Sequence, residues 1–166
     1  AIKKGFSWSV KNLNVKYFVE MDSDLSFFPS EIKKGTQLLD KNYDVSIGSK
    51  YKKSSKVINR SNFRKFISYF VSNISRFLFN SKIKDYTNAF RCYNKKAILH
   101  ILKKKITFDA PAENLNIILF LVEKKMKISE FSCSYIGQPN SIWSDNFSLK
   151  ITINVLYQLT QTIIII

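Results

Sequence analysis

Along the chain the apolar residues Phe63, Phe66, Ile67, Phe70, Val71, Ile74, Phe77 and Leu78 keep a sustained helical spacing, which predicts a long helix over 63–79. Shorter helices are predicted over 94–103 and over 112–126, the latter with Ile117, Ile118, Leu121 and Val122 on one side. Residues 15–21 read Val-Lys-Tyr-Phe-Val-Glu-Met, a β-branched and aromatic run that suits a strand ending at Asp22. Pro29, Ser30 and Glu31 have the chemistry of a helix start, proline in the first turn and an acid near the positive end of the dipole, so a helix is expected over 29–41. A second strand over 43–47 ends at Gly48-Ser49. Strand, helix and strand joined by short links predict an α/β fold whose sheet is mostly parallel and flanked by helices, with the first two strands as neighbours. The stretch 127–136 alternates as a further strand, with Ile128, Phe131, Cys133 and Tyr135 inward.

Two segments limit the reading. The chain opens on Ala1 in what reads as the tail of a helix over 1–11, and after the turn-rich break at Gly137-Gln138-Pro139-Asn140 it is apolar from 147 to 166. We expect a sequence cut at both ends, with one domain over 1–146 and an apolar helix over 147–166, interfacial or the start of a membrane segment. Residues 147–166 hold Lys150, Asn154, Gln158 and Gln161, polar enough to argue against a complete spanning helix.

With 166 residues, 45% of them hydrophobic, the chain can bury the core of a single domain. The formal net charge of +15 admits nucleic acid, an anionic membrane or a phosphorylated substrate as partner. Its cations are overwhelmingly lysine, the arginines being Arg60, Arg64, Arg76 and Arg91, so part of the excess reads as compositional bias. Cys92 and Cys133 lie far apart and far from ligand spacing with His100, which argues against a disulfide framework or a zinc site. Both read as free, buried thiols, and His100 as a packing or surface residue.

The most informative chemistry is Glu20-Met21-Asp22-Ser23-Asp24-Leu25-Ser26, two aspartates one residue apart where a strand runs out. In extended backbone alternate side chains share a face, so Asp22 and Asp24 can converge on one centre. Carboxylates are hard ligands that favour Mg²⁺ or Mn²⁺, and open α/β sheets bind ligands beyond the carboxyl ends of their strands. A solvated acidic turn is the alternative, and for an isolated Asp-x-Asp it is the commoner one.

Context changes that balance. "EMDSDLSFFPSEI" (20–32) resembles the metal-binding segment of the polyprenyl-phosphate sugar transferases, family 2 glycosyltransferases of the GT-A fold. "YDVSIGSKY" (43–51) is similar to that family's strand ending in Gly-Ser-Arg-Tyr, "NRSNFRKFIS" (59–68) to its Arg-bearing helix entry, and "KDYTNAFRCY" (84–93) to its Asp-x-Thr-x-Gly-Phe-Arg element. The four elements stand in the family's order, and a weaker match extends to Glu113 and the strand near Ile128.

The resemblance implies a partial GT-A fold whose first nucleotide-binding strands would precede Ala1. It implies a hexosyltransferase of the dolichol-phosphate mannosyltransferase type, moving mannose or glucose from a GDP- or UDP-hexose to a polyprenyl phosphate with inversion. Asp22, Asp24 and Ser26 would hold the metal, with Asp22 and Asp24 catalytic through the donor diphosphate. Lys50, Arg64 and Arg91 would bind donor or acceptor phosphates, Asp85 and Thr87 would lie beside the acceptor, and Glu113 would line the sugar pocket. Arg64 reads equally as a solvated helix-start cation, and Asp85, Thr87 and Phe90 equally as residues that shape their loop. An anionic acceptor needs no general base, so none is assigned, and Glu113 becomes a base candidate only for a hydroxyl acceptor.

The chain departs from the pattern at three places. Lys50 stands where arginine is usual, Ala89 where glycine is usual, and the segment 137–144 lacks the family's Arg-x-x-Gly-x-Ser-Lys element. The helix at 63–79, bearing Arg64, Lys65 and Arg76 with Lys82 and Lys84 beyond it, suits a membrane interface as well as it suits an ordinary core. The expected location is the cytoplasmic face of a membrane, peripheral or anchored by segments outside this sequence. Rival readings are a family 2 enzyme acting on a polysaccharide or other hydroxyl, and a basic nucleic-acid-binding module. The second lacks a recognisable RNP pattern, zinc finger or Gly-x-x-Gly clamp, so no nucleic acid is expected among the partners.

Overall fold

The structure is a computed structural model that describes residues 2–104 and 112–138. The segment 147–166, and most of 137–144, lie outside the described residues.

The elements in chain order are α1 (Ile2–Asn12), β1 (Tyr17–Glu20), a 3₁₀ turn (Pro29–Glu31), α2 (Ile32–Asp40), β2 (Val45–Ser49), β3 (Lys56–Ile58), α3 (Asn62–Leu78), β4 (Arg91–Asn94), α4 (Lys95–Lys103), α5 (Ala112–Glu123), β5 (Ile128–Ser132) and β6 (Ser134–Ile136). The architecture is mixed α/β, a sheet flanked by helices. The main sheet runs β1-β4-β2-β5, and a small second sheet pairs β3 with β6 in parallel. β4 is antiparallel to both β1 and β2, whereas β5 is parallel to β2, so β1, β2 and β5 share one direction.

Two expectations are corrected here. β1 and β2 run parallel but are not neighbours, because β4 is inserted between them. The predicted strand over 127–136 is broken at Cys133, where the chain leaves β2 and pairs with β3 instead. The sequence pattern hides β4 because its four residues lead straight into α4, and Asn94 serves both, closing the strand and capping the helix by accepting from the Ala97 amide at 2.8 Å.

Alternation along the strands separates two cores. On one face Phe18, Val45, Ile47 and Tyr93 pack against Phe6 of α1, Ile98 and Ile101 of α4, and Ile117, Ile118 and Leu121 of α5. On the other, Phe27, Phe90, Phe131 and Cys133 form a smaller cluster with Ile32 and Leu38 beside it. Gly35 lets α2 lie close on this second face. A Cβ there would stand 2.5 Å from the Cys92 sulfur, and the Ser46 hydroxyl donates to the Gly35 carbonyl at 2.9 Å. Cys92 and Cys133 are free, buried thiols.

Candidate active site

One row of cross-strand partners organises the site. Glu20 of β1 stands opposite Arg91 of β4, Arg91 opposite Ile47 of β2, and Ile47 opposite Glu130 of β5. Partners in register share a face, so an arginine at the middle of the sheet lies between two acids on its outer strands.

Arg91 is completely buried. Its Nη2 donates to the Tyr86 carbonyl at 3.2 Å, while Nε and Nη1 are buried without a hydrogen-bond partner among the described residues. Glu20 accepts from the Tyr93 hydroxyl at 2.6 Å through Oε2 and leaves Oε1 buried and unpartnered. Burial pushes the Glu20 carboxyl above the ordinary glutamate value, with Arg91 and the Tyr93 bond opposing and the charges of Glu113 and Asp22 adding to the rise. Glu113, in the first turn of α5, is thereby brought to the same locus.

Asp22 and Asp24 follow at the carboxyl end of β1, and both are exposed. The backbone between them is a turn rather than the extended stretch expected. The chain turns at Ser23-Asp24, and Leu25 adopts φ 62°, a left-handed conformation unusual for leucine. The Asp24 Oδ1 accepts from the Ser26 amide at 2.9 Å, which closes the turn. Ser26 itself is buried, and its carbonyl accepts from the Ile136 amide at 2.9 Å. Crowding by protein atoms, then the neighbouring Asp24 charge, raise the Asp22 carboxyl above the ordinary aspartate value, while Lys50 and Arg91 act the other way. Asp22, Asp24, Lys50 and Arg91 therefore share one electrostatic neighbourhood.

Beside them lies a buried ion pair. The Lys50 ammonium meets Asp85 Oδ2 at 2.8 Å, with side chains 5% and 0% exposed, and the Lys50 amide donates to the same oxygen at 3.0 Å. The other oxygen of Asp85 accepts from the Thr87 amide at 3.2 Å and its hydroxyl at 3.1 Å. Burial works against the Asp85 charge, yet Lys50 and these bonds hold its carboxyl below the ordinary value. Glu130 ties down the same loop by accepting from the amides of Lys84 and Asp85 at 3.0 and 2.8 Å. Asn88 bonds the Gly48 carbonyl and steadies the Phe90 amide at 3.2 Å, so the Asp85–Phe90 loop is built from its own polar side chains.

Arg64 stands apart, half-buried in the first turn of α3, where its amide donates to the capping Ser61 hydroxyl at 3.3 Å. α3 is joined to the site by the 2.6 Å hydrogen bond between Ser68 and Thr87. Sequence reasoning missed Glu20, Tyr93, Glu130 and Arg60. Glu20 carried a signal, as an acid late in a β-branched and aromatic run, whereas the loop amides that meet Glu130 and the Tyr135 ring that meets Arg60 are brought there only by the tertiary fold.

Two carboxylates on a tight, exposed turn fit a hard divalent cation. No group of three or more His, Cys, Asp or Glu that could hold a metal occurs among the described residues, so substrate oxygens would have to complete the coordination.

No family model matches the sequence. Among curated proteins the chain is similar to the polyprenol monophosphomannose synthase of Mycolicibacterium smegmatis, 32% identical over 94 residues. Those residues cover 57% of this chain and 35% of that protein, so the chain matches about a third of the relative's length. At this coarse level the similarity is to a glycosyltransferase.

Proposed function

We propose that this chain is catalytic machinery of a metal-dependent glycosyltransferase that moves a hexose, mannose or glucose, from a GDP- or UDP-sugar to a polyprenyl phosphate. The observation that carries the reading is the exposed Asp22–Asp24 turn at the carboxyl end of β1, set beside the buried Arg91 and the Lys50–Asp85 pair. Asp22 and Asp24 would hold Mg²⁺ or Mn²⁺ with the donor's diphosphate, and the cation would neutralise charge on the departing nucleoside diphosphate. An acceptor phosphate oxygen attacks the anomeric carbon as the bond to the diphosphate breaks, which inverts that centre. The attacking oxygen is already anionic at neutral pH and needs no base. Arg91, buried from solvent, favours the ionised form of Asp22 with a charge that water screens poorly.

The exposed face of α3 favours a membrane surface as a partner. Its buried residues are Ser68, Val71, Ser72 and Ser75, whereas Phe63, Phe66, Tyr69, Phe70 and Phe77 face out, Phe77 at 86% exposure. An ordinary core helix does the reverse. Arg64, Lys65 and Arg76 flank these rings, and no acid interrupts the helix, so an anionic bilayer on the cytoplasmic face suits it.

The test is transfer of radiolabelled sugar from GDP- and UDP-hexoses into organic-extractable lipid by the full-length protein in vesicles, with and without chelator. Label in lipid that disappears on chelation is expected. Label found only in water-soluble polymer would replace the lipid-phosphate acceptor with a hydroxyl one.

A further inference from the structure

Arg60 lies outside every role assigned so far. β3 and β6 pair in parallel with Ile58 opposite Ile136, and the Gly137 amide donates to the Ile58 carbonyl at 2.9 Å. This carries Arg60 to the side of the second sheet on which the chain leaves β6. The segment from Gly137 to Ser144 contains no cationic residue of its own.

The guanidinium is held in one plane. Its Cζ lies 5.3 Å from the centroid of the Tyr135 ring, and Nη2 donates weakly to the Arg64 carbonyl at 3.4 Å. Nε is buried without a hydrogen-bond partner, and among the described residues no carboxylate pairs with Arg60. The contrast with Lys50 is sharp. Lys50 has its charge met by Asp85, yet Arg60 stands near enough that the two cations repel. A half-buried, oriented cation, beside a second cation and with no acid among the described residues to balance it, is an arrangement that an anion completes. The planar fork of arginine matches phosphate oxygens with two parallel bonds, and an ammonium could not reproduce that.

We infer that Arg60, stacked on Tyr135 at the β3–β6 pair, binds a phosphate monoester, the head group of the acceptor. The inference rests on the transferase reading above, since that reading supplies a phosphate-bearing acceptor.

The experiment measures binding by isothermal titration to the full chain in detergent, with three probes: a short-chain prenyl phosphate, inorganic phosphate, and GDP with Mg²⁺. Arg60→Gln should weaken prenyl phosphate about tenfold, the loss of one charged contact. It should leave GDP–Mg²⁺ unchanged. Arg60→Lys keeps the charge but loses the fork, and should fall between. Asp24→Ala should show the opposite selectivity. Unchanged prenyl phosphate affinity in Arg60→Gln, or no saturable prenyl phosphate binding to the wild type, overturns the inference. Dependence on Arg60 for inorganic phosphate alone overturns the assignment to the acceptor. If Arg60→Gln melts well below wild type, Tyr135→Leu replaces it, which removes the platform and spares the guanidinium. Weaker prenyl phosphate binding is again expected, and wild-type binding again overturns the site. Prenyl phosphate bound through Arg60 without sugar transfer from any donor leaves the site standing and removes the transferase reading. Transfer with an unchanged KM for lipid phosphate in Arg60→Gln does the reverse.

Discussion

Asp22 holds its charge against its surroundings, and that has a measurable sign. An acid whose carboxyl is raised in the folded state is less stable ionised there than in the unfolded chain, so above its ordinary range it subtracts from stability. Asp22→Asn should therefore leave the melting temperature unchanged or slightly raised, the gain being small because solvent screens an exposed carboxylate, while abolishing sugar transfer. A fall in melting temperature would remove Asp22 from the class of residues kept for chemistry at a cost in stability. Asp24 is probed by its ligand. Mg²⁺ or Mn²⁺ with GDP should stabilise the wild type by mass action, and Asp24→Asn, which keeps an oxygen for the Ser26 amide but loses the charge, should lose that gain while melting normally without ligand. Equal stabilisation of both would move the metal elsewhere. Asp44 gives the opposite pH behaviour. Burial opposes its charge, but the Lys127 amide at 2.9 Å, the Asn94 amide group at 2.9 Å and Lys96 hold its carboxyl below the ordinary value. Its contribution is complete above the unfolded value and is lost as pH falls through the folded one. Asp44→Asn should cost about 1–3 kcal/mol at neutral pH by urea unfolding. The gap to wild type should narrow below about pH 4.

At the scale of elements, the joint between β3 and β6 is set by Gly137, because a Cβ there would collide with the Asn59 carbonyl oxygen. Backbone cannot give way as a flexible side chain can, so Gly137→Ala should cost about 1–3 kcal/mol in thermal or urea unfolding. A neutral result would mean that the two strands part easily. Nothing in the sequence announces this joint. Lys56–Ile58 is too short and too exposed to read as a strand, and it becomes one only because β6 lies beside it. Helices fared better for a physical reason: their pairing is local. α3 was expected over 63–79 and occupies Asn62–Leu78, and α4 begins one residue past the expected start because Asn94 caps it. At the site, the Asp22–Asp24 pair and the Asp85–Thr87 loop were legible because each is a short contiguous motif. The opposition of Glu20 and Arg91 was not, since it depends on an antiparallel register that no local pattern encodes.

For the whole molecule, the outward aromatic face of α3 gives the chain a sided surface. Phe66 and Phe70 stack with centroids 6.1 Å apart on that face rather than in a core. Replacing Phe66 and Phe77 by Ser should leave thermal stability nearly unchanged, as expected for exposed positions, and weaken binding to phosphatidylserine-containing vesicles several-fold. Raising the salt should weaken wild-type binding as well. Cosedimentation that ignores both changes would argue against a lipid-facing α3. The strand order β1-β4-β2-β5 reaches back to the way the chain is made. A ribosome delivers β1 and β2 before β4, yet the two do not pair with each other, because the strand that bonds both is still unsynthesised. Until Arg91–Asn94 emerges, the aspartate turn lacks its neighbouring arginine and the edges of β1 and β2 that β4 joins stay unpaired, a state prone to wrong pairing. A nascent chain stalled before β4 should therefore be readily degraded by added protease, and protection should rise once β4, and then β5 beside β2, can pair.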